Sequence, residues 1–212
     1  MKKCLMITLI ALILSNVNAQ ETKDIALPAP KIDAGMPLMK ALANRQSNRE
    51  FSGEELNFQT LSNLLWAANG VNRENGKRTA PSARNMQQIE IYVFMKKGVF
   101  LYNPIDNILE MKYSEDHRSI VPMQDFAAKA PVLLLFVANY EKMNISEEAR
   151  EFYGATDCGN VSQNVYLFCA SEGLNTVALG SIKRDELKNL LQFNGKAILG
   201  QPVGYPKEKE KK

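Results

Sequence analysis

The 212-residue chain contains a single histidine. That scarcity excludes zinc sites built on histidine and argues against a Ser-His-Asp triad. His117 has the chemistry of a general acid or base, but Asp116 and Arg118 flank it in a polar segment, the setting of a surface residue. Cysteine is sparse too, with three in the chain. Cys4 lies near the start, ahead of an apolar run. Cys158 and Cys169 fall in one predicted helix, where eleven residues separate them by about 16 Å, beyond disulfide reach. They also lack the spacing of a metal knuckle and read as buried small hydrophobes. No G-x-x-x-x-G-K-[ST] phosphate loop is present, and no G-x-G-x-x-G follows a strand. The net charge is only +3, and part of it sits in the tail "PKEKEKK", so no broad basic face exists for nucleic acid. Paired carboxylates such as Glu147-Glu148 read as helix-surface charge. With hydrolytic and metal chemistry poorly supported, chemistry carried by a bound organic cofactor is what remains.

The first 19 residues, "MKKCLMITLIALILSNVNA", have the pattern of a secretory signal. Lys2 and Lys3 precede an apolar run at 5–14, and Val17-Asn18-Ala19 supplies small residues for cleavage. The run is shorter than the roughly twenty residues needed to span a bilayer. An exported protein follows from this reading, located in the bacterial periplasm, with no membrane partner once the signal is cleaved. Export without disulfides fits a chain with a core large enough to need none. Behind the signal, a Pro-rich polar arm is expected at 20–36, one domain at 37–206 and a charged tail at 207–212.

Within the domain, helices are expected at 37–42, 54–68, 114–129, 146–172 and 184–191. In the second of these Leu56, Leu61, Leu64, Leu65 and Ala68 share a face. Three β-rich runs at 89–95, 98–102 and 108–113 predict an antiparallel meander. The continuous apolar run "PVLLLFVA" at 131–138 predicts a strand buried on both faces. Further strands are expected at 175–182 and 197–206, and a long polar loop at 69–85. Strands with helices between and around them give an α+β class with a mixed sheet. The long helix at 146–172 has polar residues in its apolar face and carries Gly159, which costs on the order of 1 kcal/mol inside a helix. That glycine predicts close packing of another backbone, as at a subunit interface.

Three segments carry candidate chemistry. Arg45-Gln46-Ser47-Asn48-Arg49 places two guanidinium groups and a hydroxyl where they can grip a phosphate. Pro81-Ser82-Ala83-Arg84-Asn85 closes the polar loop with small residues and an amide, suited to close approach by a flat ligand. Leu179-Gly180-Ser181 ends a buried strand, where ligands of layered α/β sheets bind and where glycine admits a ligand edge to backbone N–H groups. Taken singly, each has a plain structural explanation: a solvated run before a helix, a β-turn, a tight strand-to-helix turn.

Their order is more specific. R-x-S-x-R, a helix ending in L-L-W-A-A-N-G, then R-T-x-P-S-A and I-E-I-Y-V resembles the nitroreductase family of flavin mononucleotide (FMN) enzymes. "KAPVLLLFVA", "DCGNVSQNVYLFCASEGLNTVALGSI" and "PVGYP" extend the resemblance over 37–206, closest to the branch that includes thiazole- and oxazole-forming dehydrogenases. The resemblance implies a nitroreductase-like fold, with a mostly antiparallel mixed sheet surrounded by helices and a long central helix at a homodimer interface. Two FMN sites would lie at that interface. It implies that Arg45 and Ser47, with Gln46 beside them, contact the FMN phosphate, and that Arg49 lies near the N1–C2=O edge of the flavin. Ser82, Ala83 and Asn85 would pack on the ring from the other subunit. Leu179, Gly180 and Ser181 would meet its N5–O4 edge through Gly180 and Ser181 N–H groups. The activity implied is transfer of hydride or electrons through flavin N5 between a reductant and a small organic acceptor such as a nitroaromatic or a quinone. No catalytic side chain is implied, and no metal.

Two features depart from the family pattern. Many relatives close the phosphate site with a basic residue near the C-terminus, where this chain has Lys207 and Lys209. Many have glycine at the position of Arg84, which here either selects an anionic substrate or narrows the site. The signal adds a tension of its own, because NAD(P)H, the usual donor, is scarce outside the cytoplasm. The alternatives are a flavin-dependent dehydrogenase or oxidase that does not use NAD(P)H, or an exported flavin-binding protein without turnover.

Overall fold

A computed structural model describes residues 23–207. The signal at 1–19 and the tail beyond Lys207 lie outside the described residues. Among the described residues four α-helices and seven strands occur in the order β1 (Ile25–Ala26), α1 (Leu38–Asn44), α2 (Phe58–Asn69), β2 (Ile89–Met95), β3 (Gly98–Asn103), β4 (Ile108–Tyr113), β5 (Val132–Asn139), α3 (Glu147–Glu172), β6 (Asn175–Thr176), α4 (Arg184–Leu191) and β7 (Gly195–Gly204). The strands form one sheet, ordered β1-β4-β3-β2-β5-β7-β6, and every adjacent pair is antiparallel. The α+β class and the meander β2–β4 are as the sequence predicts.

β5 sits near the middle of the sheet, and its alternation shows why its sequence is apolar throughout. Val132, Leu134, Phe136 and Ala138 point into one core, under α2 and α3. Leu133, Leu135 and Val137 point into the other, with Leu187 of α4. A sheet covered on both faces requires a strand with no polar side.

The helix ends follow local chemistry. Asn57 caps α2 by accepting a hydrogen bond from Thr60 N–H at 2.8 Å, so α2 begins four residues later than the 54–68 expected. At its C-terminus a Cβ on Gly70 would lie 2.5 Å from the Trp66 ring, which is why L-L-W-A-A-N must end on glycine. Thr79 then closes the helix end, its N–H donating to Gly70 O and its hydroxyl to Trp66 O. The loop at 69–85 is therefore ordered, with a bridge between Val71 and Arg78. Ser146 caps α3, Glu147 and Glu148 stand in its first turn where the helix dipole favours them, and Gly173 ends it in the left-handed conformation.

Other expectations need correction. The helix at 114–129 is absent, and two single 3-10 turns, Arg118–Ile120 and Ala127–Lys129, take its place. Pro122 lies between them, and proline has no N–H for a helix and biases the preceding residue away from it. The arm at 20–36 does more than lead in, since β1 pairs with β4 and adds an edge strand. The last strand runs 195–204 rather than 197–206. The strand at 175–182 shrinks to Asn175–Thr176 and a bridge between Leu179 and Gly200. Gly159 is exposed, and a Cβ there would meet nothing within 4 Å. Among the described residues no backbone packs against it, so the close packing expected there is not made within one chain.

Candidate functional site

The segment at 45–49 follows α1 and is held to the β6 region by hydrogen bonds to its backbone. Asn48 N–H donates to Thr176 O at 2.9 Å, and Asn175 Nδ2 donates to Glu50 O at 2.7 Å. A bridge from Phe51 to Pro206 brings Lys207 out beside the same segment. Among the described residues neither Arg45 nor Arg49 forms an ion pair. Two guanidinium groups without a carboxylate partner and an exposed serine thus lie on one short loop.

Tyr166 of α3, which sequence reasoning passed over, joins this loop to the 178–181 segment. Its hydroxyl accepts from Ala178 N–H at 2.8 Å and shares a hydrogen bond with Ser47 Oγ at 2.9 Å. Its ring lies under Arg45, whose guanidinium carbon is 5.4 Å from the centroid. The same bond explains the broken strand, because Ala178 N–H goes to Tyr166 instead of β7. The chain rejoins β7 one residue later, where Leu179 and Gly200 exchange both backbone hydrogen bonds. Beyond that point the carbonyls are tied down. Arg184 Nη2 donates to Gly180 O at 3.0 Å, and Met123 N–H donates to Ser181 O at 3.1 Å. Among the described residues the N–H groups of Gly180 and Ser181 donate to no acceptor, and both residues are exposed. Space above Gly180 is open, with nothing within 4 Å of a Cβ placed there.

Beside this cradle lies a cavity of about 440 Å³, lined by Arg45, Gln46, Asn48, Tyr166 and Asn175 among others. Ser47, Arg49, Gly180 and Ser181 are not on its wall. Arg45 and Gln46 therefore border the cavity, while Ser47, Arg49, Gly180 and Ser181 lie outside it.

The third segment sits elsewhere in the chain. Ala83 N–H donates to buried Asp157 Oδ2 at 2.9 Å, and Gln88 Nε2 reaches the same oxygen at 2.6 Å. Ser82 Oγ accepts from Gln87 N–H, and Asn85 Oδ1 accepts from Gln87 Nε2. Arg84 (φ 51°), Asn85 (φ 54°) and Gln87 (φ 50°) are all in the left-handed region, a concentration of backbone strain of the kind found at functional loops. Asp157 and Tyr166 are nine residues apart on α3, which places their attachment points about 13 Å apart along the axis. Within one chain, then, 82–85 and 45–49 stand at different levels of the same helix. Asp157 and Tyr166 had no signal of their own beyond being polar groups in the apolar face of that helix.

Other candidates carry no site. His117 is partly exposed, 3.9 Å from Glu115 and edge-on to Tyr113. Cys158 and Cys169 are free and buried; burial pushes the Cys158 thiol up to about 12 and that of Cys169 higher still. Among the described residues no cluster of three metal-ligating side chains occurs.

Comparison with known proteins gives a consistent result. A model of the nitroreductase family matches residues 42–205. A protein of Methanocaldococcus jannaschii, provisionally named a nitroreductase, is 34% identical over 195 residues, covering 87% of this chain and 97% of that one. A crystal structure from Ralstonia eutropha, also provisionally named a nitroreductase, is 40% identical with a TM-score of 0.83, covering 88% and 90%. A more distant structure from Desulfovibrio desulfuricans, solved in complex with FMN, shares the fold at 18% identity and a TM-score of 0.58, covering 84% and 93%.

Proposed function

Since the chain belongs to the nitroreductase family, we propose that it is an FMN-dependent oxidoreductase whose flavin is held by the loop at 45–49 and the segment at 179–181. The observation that carries this reading is the pairing of two uncompensated arginines with two unused backbone N–H groups, joined through one tyrosine hydroxyl. FMN needs that donor set: cations for a phosphate and N–H donors for a polar ring edge. Arg45, steadied on the Tyr166 ring, and Ser47 serve the phosphate, with Gln46 beside them. Arg49 serves the N1–C2=O edge, where a cation opposes the negative charge gained on reduction. Gly180 and Ser181 N–H groups hold the N5–O4 edge. When bound, FMN would supply hydride and electron transfer at N5, and the protons taken up by the acceptor would come from solvent, with no side chain assigned to deliver them.

Ser82, Ala83 and Asn85 complete the site from a second copy of the chain. Their distance from the cradle along α3 supports that arrangement, as do exposed apolar side chains on the helices around it. Leu38 and Met39 of α1 are 63% and 75% exposed and Phe152 of α3 is 64% exposed, and Gly159 lies open on the same long helix. A homodimer would cover them. The acceptor is a small organic molecule such as a nitroaromatic or quinone. The signal-like start of the sequence favours a periplasmic enzyme and a donor other than NAD(P)H, or an oxidative direction of turnover.

The test is titration of the purified protein with FMN. A yellow protein that binds one FMN per chain and releases it on denaturation is expected. A colourless protein that leaves the fluorescence of added FMN unquenched would falsify the flavin reading.

A further inference from the structure

The two free N–H groups at 180–181 are aimed by what holds their neighbouring carbonyls. A peptide unit is planar and trans, so its C=O and N–H point in opposite directions. Gly180 N–H belongs to the unit whose carbonyl is Leu179 O, and that oxygen accepts from Gly200 N–H at 3.0 Å. The sheet itself therefore turns Gly180 N–H away from β7. Ser181 N–H belongs to the next unit, whose carbonyl is Gly180 O. That oxygen accepts from Arg184 Nη2 at 3.0 Å and from Ile182 N–H at 3.2 Å. The second bond closes a γ-turn and is bent, so the charge-assisted bond from the guanidinium is the firmer hold.

Arg184 is itself anchored on β7. Its Nε donates to Ala197 O at 3.0 Å, and its Nη2 donates also to Ile198 O at 3.1 Å. Successive carbonyls of a regular strand point to opposite sides. Here the pairing of β5 with β7 slips between Phe136 and Val137, which leaves Ile198 as an extra residue. At that irregularity two adjacent carbonyls serve one guanidinium. Bulges of this kind occur beside active sites, where they re-aim a group. Helix stability and ion pairing do not account for a cation at this position. Arg184 is the first residue of α4, where the helix dipole opposes positive charge, and among the described residues it forms no ion pair.

We propose that Arg184 is a positioning residue: by holding Gly180 O it turns Ser181 N–H outward and makes it a stronger donor to the flavin edge. A cation on the carbonyl draws electron density through the peptide unit, and linked hydrogen bonds strengthen one another by roughly 10–30%. Arg184 acts only through the backbone of 180–181 and touches no ligand itself. The inference rests on the flavin reading for what the amide meets. The direction in which the amide points is a property of the protein alone.

Residual dipolar couplings of the apo-protein read the direction of each N–H bond with no flavin present. In Arg184→Ala the Ser181 coupling should shrink through averaging, while that of Gly180, held through Leu179 and Gly200, keeps its wild-type value. FMN affinity in the same variant should fall roughly tenfold, the loss of one well-aimed contact. Arg184→Lys keeps the charge without the planar fork and should recover part of both effects. An unchanged Ser181 coupling in Arg184→Ala, or an equal loss at Gly180 and Ser181, overturns the aiming role. A reduced Ser181 coupling with wild-type FMN affinity overturns its use for the flavin. Should Arg184→Ala fail to fold, Arg184→Lys decides, and wild-type coupling with wild-type affinity in that variant overturns the proposal. A wild-type protein that binds no FMN sinks the flavin reading instead, and the couplings still decide whether Arg184 aims the amide.

Discussion

Replacing Tyr166 with phenylalanine removes one oxygen atom and tests how the cradle is built. The ring under Arg45 remains, so stacking is preserved. Two hydrogen bonds are lost, one to Ser47 Oγ and one from Ala178 N–H. Ser47 is exposed and turns to water at little cost, but Ala178 is only partly exposed. Leaving its N–H unsatisfied costs about 1–2 kcal/mol. For a domain of this size that lowers the melting temperature by about 2–8 °C. The same bond sets the course of the chain into Gly180 and Ser181, so FMN affinity should fall roughly five- to thirtyfold if the whole cost appears in binding. Thermal melts of the apo-protein and titrations followed by flavin fluorescence read the two effects separately. A Tyr166→Phe protein with wild-type melting temperature and wild-type FMN affinity would refute the role given to that hydroxyl.

Four further outcomes are expected. Arg45→Ala should lose most FMN affinity while Arg49→Ala keeps FMN and changes its reduction potential; equal retention in equilibrium dialysis, with unaltered potentials, contradicts that division. Leu134→Ala, at a fully buried position in mid-sheet, should cost about 2–5 kcal/mol in urea unfolding, and a loss below about 1 kcal/mol would mean the core beneath α3 is looser than described. Cys158 and Cys169 should resist a thiol reagent at pH 8 in the folded protein, because burial keeps both thiols protonated, and should react at once in urea; fast labelling of the native protein would contradict their burial. N-terminal sequencing of protein from its natural host should begin after Ala19, and an intact Met1 in the cytosolic fraction would refute export.

Elements whose determinants are local were legible in the sequence. The alternating cores of β5, the turns of the meander and the helical spacing of Leu61, Leu64 and Leu65 all depend on neighbours within a few residues. The candidate loop at 45–49 was legible for the same reason, as a dense pattern of donors in five positions. Long-range partners were not. Tyr166 and Ser47 are 119 residues apart and Asp157 and Ala83 are 74 apart, and nothing at either position marks the contact. The helix drawn through 114–129 ignored what Pro122 does to the backbone. The strand drawn through 175–182 could not anticipate that a tyrosine hydroxyl would take the Ala178 N–H from the sheet. Gly159, read as a contact between subunits, faces open surface in the single chain.

In the proposed site Gly180 and Ser181 hold their N–H groups free for a flavin. Amide hydrogen exchange, resolved residue by residue with and without FMN, measures that claim. Both amides should exchange rapidly in the apo-protein and become strongly protected once FMN is bound. FMN binding with no change in protection at either amide would place the flavin somewhere else.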